Sequence, residues 1–403
     1  PLPLVDETID LCVECGFCES VCPSRNLTMT PRQRIIISRE MKLPGRTSSE
    51  LAELRKDFHY SGNETCATDG LCELECPVNI DTGSYIKRIR SHEHSLFSEY
   101  FANYTANHFA LIQRCVRGGL QIGNFMGAGL MTMITRIARK LGLKSLPLWN
   151  AQLPKQSPII SSYSNGVGKT YIYFPSCLHR TMGPDSVINK FMELAPQLDV
   201  ELIIPDKIHS LCCGMPFASK GFDNAHSLIN ENTIDELYSL SKGGQIPILM
   251  DMSPCSYHIQ NIKYDKKNTL QFVDIIEFFH EKIENLNPYH DPSKEVVIHH
   301  TCSGQKMQQE IMMEEVVRSL AGNVVTPHVN GCCGSAGDRG LFFPELTNSA
   351  SDNCANSYPE FSNKAVGVSS SKMCEISISK STEVPFQSII EFIHHSIFNK
   401  NEN

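Results

Sequence analysis

The chain has 403 residues, with 36 Lys and Arg against 44 Asp and Glu, a formal charge of −8, and 17 Cys beside a single Trp. A hydrophobic fraction of 41% supports a sizeable core, and the acidic balance leaves no basic surplus for a nucleic-acid backbone. Cys grouped as CxxC and CC in a chain this long point to metal or redox chemistry in a reducing, cytoplasmic compartment, not to a secreted disulfide framework. The opening PLPLVDETID lacks the apolar core of a signal peptide, and the missing initiator Met suggests that the chain continues from a longer polypeptide.

Residues 1–95 read as a helical, Cys-rich domain. Pro31 is placed to open a helix over RQRIIISREM, and Thr47 with Glu50 form a capping-box pattern before Leu51, Leu54 and Phe58. Within this domain Cys12, Cys15, Cys18 and Cys22 follow the spacing C-x2-C-x2-C-x3-C-P. Thiolates two residues apart on a tight loop can reach three corners of one cubane, and the Cys before Pro serves a neighbouring cluster in two-cluster ferredoxins. A zinc site would need only C-x2-C pairs. The complementary half-motif is CATDGLCELECP, which carries Cys66, Cys72 and Cys76 and places Asp69 where a further Cys would stand. The expected wiring is Cys12, Cys15, Cys18 and Cys76 around one [4Fe–4S] cluster and Cys22, Cys66, Asp69 and Cys72 around the other. An Asp ligand holds its iron less firmly, so that cluster is either a [4Fe–4S] with an oxygen ligand or a [3Fe–4S] lacking that iron; alternatively Asp69 only caps the turn with Gly70.

Residues 96–165 read as a helical connector ending in a polar linker, LPKQSPIISSYSNGVGK. Its stretch 118–135 has no formal charge but five Gly, too polar for a membrane span; it reads as an ordinary packed helical linker, with a peripheral contact on the inner face of a membrane as the alternative. Beyond it, strand-like runs alternate with helical patterns: YIYFP at 171–175, VELII at 200–204, PILMD at 247–251, VVIHH at 296–300, NVVTP at 323–327 and AVGVS at 365–369. Such alternation predicts α/β layers with largely parallel strands. Cys177, Cys212-Cys213-Gly214 and Cys255 are echoed by Cys302, Cys332-Cys333-Gly334 and Cys374, so two similar modules occupy 166–290 and 291–403. The fold class is therefore α+β multidomain: a helical two-cluster ferredoxin-like domain followed by two tandem α/β modules. Because sites in parallel sheets gather at the carboxyl ends of strands, the four Cys of each module are expected to converge.

The tandem Cys…CCG…Cys pattern resembles the cysteine-rich CCG domain of heterodisulfide reductases and glycolate oxidase iron–sulfur subunits. His258 and Ser377 stand where the heterodisulfide reductases have a further Cys, which counts against disulfide-reducing chemistry here. The strings LCVECGFCESVCPSRNLTMTPRQR, CATDGLCELECPVNIDTG, YFPSCLHRTMG, CCGMPFASKGF and CCGSAGDRGLFFPEL resemble the carboxyl-terminal half of two-part, NAD-independent D-lactate dehydrogenases. That resemblance implies an FAD oxidase domain in cis, or a partner flavoprotein subunit, that oxidises D-lactate or a related D-2-hydroxy acid. It also implies transfer of electrons through the clusters, at least one more of them in the CCG modules, to a quinone or cytochrome. A separate iron–sulfur subunit of glycolate oxidase or glycerol-3-phosphate dehydrogenase type is the alternative.

Other features carry less. SNGVGKT at 164–170 has Tyr at position 163 where a phosphate-binding loop needs Gly. The His residues, His299-His300 among them, read as ordinary core or surface imidazoles, with His209 and His258 the exceptions near candidate ligands. Cys115 and Cys354 lie outside the motifs and are expected to be small buried side chains. With neither a GxGxxG nor a nucleophile elbow, this chain by itself has no organic catalytic site.

Overall fold

Thr30 and Thr47 each accept a hydrogen bond from the backbone of the residue three positions on, and Gln33 and Glu50 reach back to complete two capping boxes. They start α1 (Pro31–Glu40) and α2 (Ser48–Phe58), and α2 runs on as a π-helical turn over His59–Glu64. The computed structural model describes residues 2–143, 146–149, 152–160, 168–286 and 288–398. After α2 come the single turn α3 (Leu71–Leu74) and α4 (Thr82–Glu93), capped by Asp81. Ile9, Ile35, Phe58, Ile80, Tyr85 and Ile86 form the small core between them. The connector is helical as expected: α5 (Leu96–Asn107), α6 (Phe109–Met126) and α7 (Ala128–Lys140). Among the described residues no helix is long and apolar enough to cross a membrane. Most of the predicted linker's second half, 161–167, and with it much of SNGVGKT, lies outside the described residues.

Two four-stranded parallel sheets follow. In the first, β1 (Lys169–Phe174), β2 (Val200–Ile203), β3 (Ile248–Met250) and β4 (Phe272–Asp274) lie in the order β2-β1-β3-β4. Its helices are α8 (Val187–Leu194), α9 (Met215–Ala218), α10 (Asp223–Leu240), α11 (Ser253–Gln260) and α12 (Ile275–Lys282). In the second, β5 (Asp291–His299), β6 (Ala321–Val325), β7 (Val366–Ser369) and β8 (Phe386–Ser388) repeat that order as β6-β5-β7-β8. Its helices are α13 (Cys302–Lys306), α14 (Glu310–Arg318), α15 (Pro344–Ala355), α16 (Lys372–Thr382) and α17 (Ile389–Phe398). All six strand-like runs are strands. β4 and β8, at one edge of each sheet, escape the sequence reading: three residues show no period, and FVD and FQS lack the wholly apolar run that marks the equally short β3, ILM.

The modules share a core on one side, while the second keeps a smaller one of its own around Val297, Tyr358 and Ile378. α8 packs on α17 and α12 on α14, a reciprocal exchange of contacts. As a result Phe191, Phe278 and Phe279 of the first module share one buried cluster with Val316, Val317 and Phe392 of the second. Burying such side chains stabilises by roughly 1.5–3 kcal/mol each, which holds the pair together as one unit.

Candidate metal centres

The loop over residues 12–18 turns tightly because Glu14 and Gly16 adopt left-handed backbone conformations, φ 62° and 90°. Arg39, almost wholly buried, fastens that loop from α1 by bonding the Glu14 carboxylate at 2.7 Å and the Cys12 carbonyl at 2.9 Å. Cys12, Cys15, Cys18 and Cys76 thereby line one cavity with Arg32, Ile35 and Thr82, enclosing about 390 Å³ including its open mouth. Cys15 is exposed, and burial pushes the Cys18 thiol up to about 11. Val13 and Val78 line the mouth and are exposed to solvent, and Leu11 and Phe17 beside them are 68% and 65% exposed.

Cys22, Cys66, Asp69 and Cys72 line a second cavity of about 300 Å³, and its three Cys are buried. The fully buried Arg34 enters it from α1. It donates to the Cys22 sulfur at 3.7 Å, to the Gly62 carbonyl at 2.7 Å and to Ser24 Oγ at 2.8 Å. Burial works against its charge, but the Cys66 and Cys22 sulfurs outweigh it and raise the guanidinium pKa. No motif in the sequence marks Arg34; only its place three residues after the helix-opening Pro31 hints at an inward position. Asp69 Oδ1 accepts from the Leu71 amide at 2.8 Å, so the turn-capping role is present. Its carboxyl nevertheless shares the cavity with the three sulfurs, and burial raises its pKa. Gly70 needs its left-handed φ of 76°, and Lys306 of α13 packs where a Cβ would stand.

In the first module Cys177, Cys212, Cys213 and Cys255 gather closely enough that each perturbs its neighbours' thiols, and burial helps to raise all four. All four sit beyond the carboxyl ends of β1, β2 and β3, as expected for a parallel sheet. In the second module the adjacent pair divides. Cys333 lies 3.2 Å from Cys374, sulfur to sulfur, whereas Cys332 joins Cys302 against Ala67 and Leu71 of the front domain. The second cavity and the second module therefore share a wall, and Cys22, Cys332 and Cys354 line a further pocket between them.

Buried polar clamps fix the front domain to both modules. Arg90 bonds the carbonyls of Asn63 and Cys66 on one side and of Ser219 on the other, at 2.6–2.8 Å. Arg339 bonds Glu64, and Lys306 pairs with Glu73 at 3.4 Å. Three expectations need correction. Cys115 is exposed, on the outer face of α6, while Cys354 is buried as expected. Among the described residues His209 Nε2 meets the Ile160 carbonyl, at 3.4 Å, and no sulfur, and His258 Nε2 meets His226 at 2.9 Å. His299 is not an ordinary core imidazole, because it stands among sulfurs.

The donors of the front domain fit polynuclear groups. A tetrahedral zinc with Zn–S near 2.3 Å draws its sulfurs to about 3.8 Å of one another. No three donor atoms of the front domain lie within 4.8 Å of each other among the described residues; they surround cavities instead. Residues 8–80 match the family described as a 4Fe-4S dicluster domain, and residues 171–260 and 296–379 match the cysteine-rich domain family. Over 382 residues the chain is 23% identical to the glycolate oxidase iron–sulfur subunit of Escherichia coli (strain K12), with 87% of this chain and 85% of that protein covered. The chain thus joins a ferredoxin-type 4Fe-4S domain to two cysteine-rich α/β domains, the make-up of an iron–sulfur protein.

Proposed function

We propose that the chain is the iron–sulfur electron-transfer part of a flavin-linked oxidoreductase that oxidises a 2-hydroxy acid, working with an FAD domain that is fused to it or carried by a partner subunit. The similarity to a glycolate oxidase subunit supports the class, and the strings quoted above favour D-lactate as the acid. The observation that carries the reading is the order of the two front cavities. One opens at the surface through an apolar rim; the other is buried against the second module. [4Fe–4S] clusters, when bound, supply one-electron transfer at potentials set by ligands, hydrogen bonds to sulfur and exposure.

Cys12, Cys15, Cys18 and Cys76 hold the surface group, and Leu11, Val13, Phe17 and Val78 give a partner an apolar seat that excludes water on docking. Cys22, Cys66, Cys72 and Asp69 hold the buried group, where the Arg34 charge favours the reduced state. The first module, where Cys177, Cys212, Cys213 and Cys255 gather beyond the carboxyl ends of three strands, is where we place a third cluster.

The acceptor side is read from α6 and α7. Between Glu99 and Asp185 there is no acidic residue, while nine Lys and Arg fall in that interval of a chain with net charge −8. Ile122, Phe125, Leu130, Met133, Ile134 and Ile137 are exposed on these helices beside the exposed Arg136 and Lys140. Cations mixed with exposed apolar side chains suit an anionic bilayer surface, where a quinone would be met.

The test is anaerobic reduction of the chain together with an FAD-binding partner, with D-lactate and glycolate supplied in turn. Bleaching of cluster absorbance by one acid, dependent on the partner, is expected. An iron–sulfur protein that no 2-hydroxy acid reduces in the presence of that flavoprotein would refute the reading.

A further inference from the structure

We propose that the second cysteine-rich module holds a mononuclear zinc or iron(II) ion on His299, Cys333 and Cys374, a site of a different kind from the polynuclear sites of the front domain. Three neighbouring strands deliver its donors. His299 ends β5, the central strand; Cys333 lies on the loop after β6; and Cys374 lies in the first turn of α16, after β7. Their donor atoms all lie within 4.8 Å of one another, and the three residues are 2%, 2% and 7% exposed. That spacing suits one tetrahedral ion, whose ligand atoms stand about 3.4–3.8 Å apart, and is too tight for the corners of a cubane.

Two further observations support the assignment. His299 Nε2 is buried with no hydrogen-bond partner, and an orphaned imidazole nitrogen beside two sulfurs is a donor without an acceptor to serve. The neighbouring Cys332 packs with Cys302 against the front domain, and the three donors within reach of one ion include only one of the two adjacent cysteines. The repeat supplies an internal comparison. His299 stands three residues before Cys302; the residue three before Cys177 in the first module is Phe174, at the end of β1. The position equivalent to His299 thus carries no nitrogen donor in the first module, where the buried His179 is instead tied through Nδ1 to Asp251 at 2.8 Å. Two thiolates and one imidazole select a borderline-soft divalent ion and leave a tetrahedral centre one position for water.

The assignment is independent of the flavin partner, and so is its test. The full chain is purified anaerobically and assayed for zinc, iron and acid-labile sulfide; after chelation, cobalt(II) is added and its absorbance recorded. One zinc per chain, or one iron that the chelator removes without loss of sulfide, is expected, with thiolate-to-cobalt charge transfer and strong tetrahedral bands after exchange. His299→Ala and Cys333→Ser should each lose that one ion with sulfide unchanged. His299→Cys should retain it with a shifted cobalt spectrum, which guards against a variant that merely misfolds. Loss of iron and sulfide together in His299→Ala, or metal content and cobalt spectrum indifferent to it, would overturn the proposal.

Discussion

Replacing Arg34 by Gln removes a buried positive charge that stands 3.7 Å from the Cys22 sulfur while keeping a polar group near Ser24 and Gly62. The charge favours the form of the buried centre that carries one more electron, so its loss must lower the reduction potential. An added electron spread beyond the sulfur, about 6 Å from the guanidinium at an effective dielectric of about 20, interacts by about 2.8 kcal/mol, which corresponds to about 120 mV for one electron. Potentiometric titration followed by EPR should therefore show the buried centre shifted down by about 100 mV, from the same Coulomb estimate. The surface centre on Cys12, Cys15, Cys18 and Cys76 should barely move, because a partly solvated group is better screened. Arg34→Lys keeps the charge and should recover more than half of the shift. A buried centre that retains its iron in Arg34→Gln and shifts by less than about 20 mV would refute the argument that this charge sets the potential.

Asp69→Cys restores a thiolate at the one non-sulfur position of the second cavity; the oxidised protein should lose a [3Fe–4S] EPR signal that the parent shows, and persistence of that signal would remove Asp69 from the ligand set. Burial holds the His258 pKa down at about 3 against an unperturbed 6.5, so the unfolded chain binds a proton that the folded chain refuses as the pH drops below 6.5. Stability should fall by about 2 kcal/mol between pH 7 and pH 5 from this group, and urea midpoints of His258→Gln should be less pH-dependent than those of the parent; equal slopes would contradict the linkage. On vesicles containing anionic lipid, Arg136→Glu with Lys140→Glu should weaken binding at least tenfold, since each cation near such a surface contributes about 1 kcal/mol; equal binding to neutral vesicles would show that charge plays no part.

Much of the front domain was legible along the chain because its determinants are local. Thr30 and Thr47 announce their helices through backbone bonds that span three residues, and the two- and three-residue Cys spacings limit which sulfurs can share a turn. The duplication was legible for a similar reason, since equal offsets between Cys groups survive whatever the intervening loops do. β4 and β8 were not, because FVD and FQS are too short to show a period and carry no wholly apolar run, so pairing with β3 and β7 decides their state. Arg34 was missed because Arg is read as a surface residue, and only the Cys22 and Cys66 sulfurs at its end explain its burial.

His299 shows where reading along the chain stops. In sequence it is one of fifteen His, 34 residues from Cys333 and 75 from Cys374, and nothing in its neighbours distinguishes it from His300. Parallel pairing in the order β6-β5-β7 brings the ends of three strands together and makes those residues neighbours. The division of Cys332 from Cys333, and the wall shared by Cys22, Ala67, Leu71 and Cys332, likewise come from how the front domain docks. Residue types and local spacing decided that this protein binds metal through its cysteines, that its front is helical and that its rear is a repeated α/β module. Which donors face one another, which centre is buried and which lies at the surface were decided only by packing between distant segments, because those contacts depend on strand order and shared cores that no local pattern encodes.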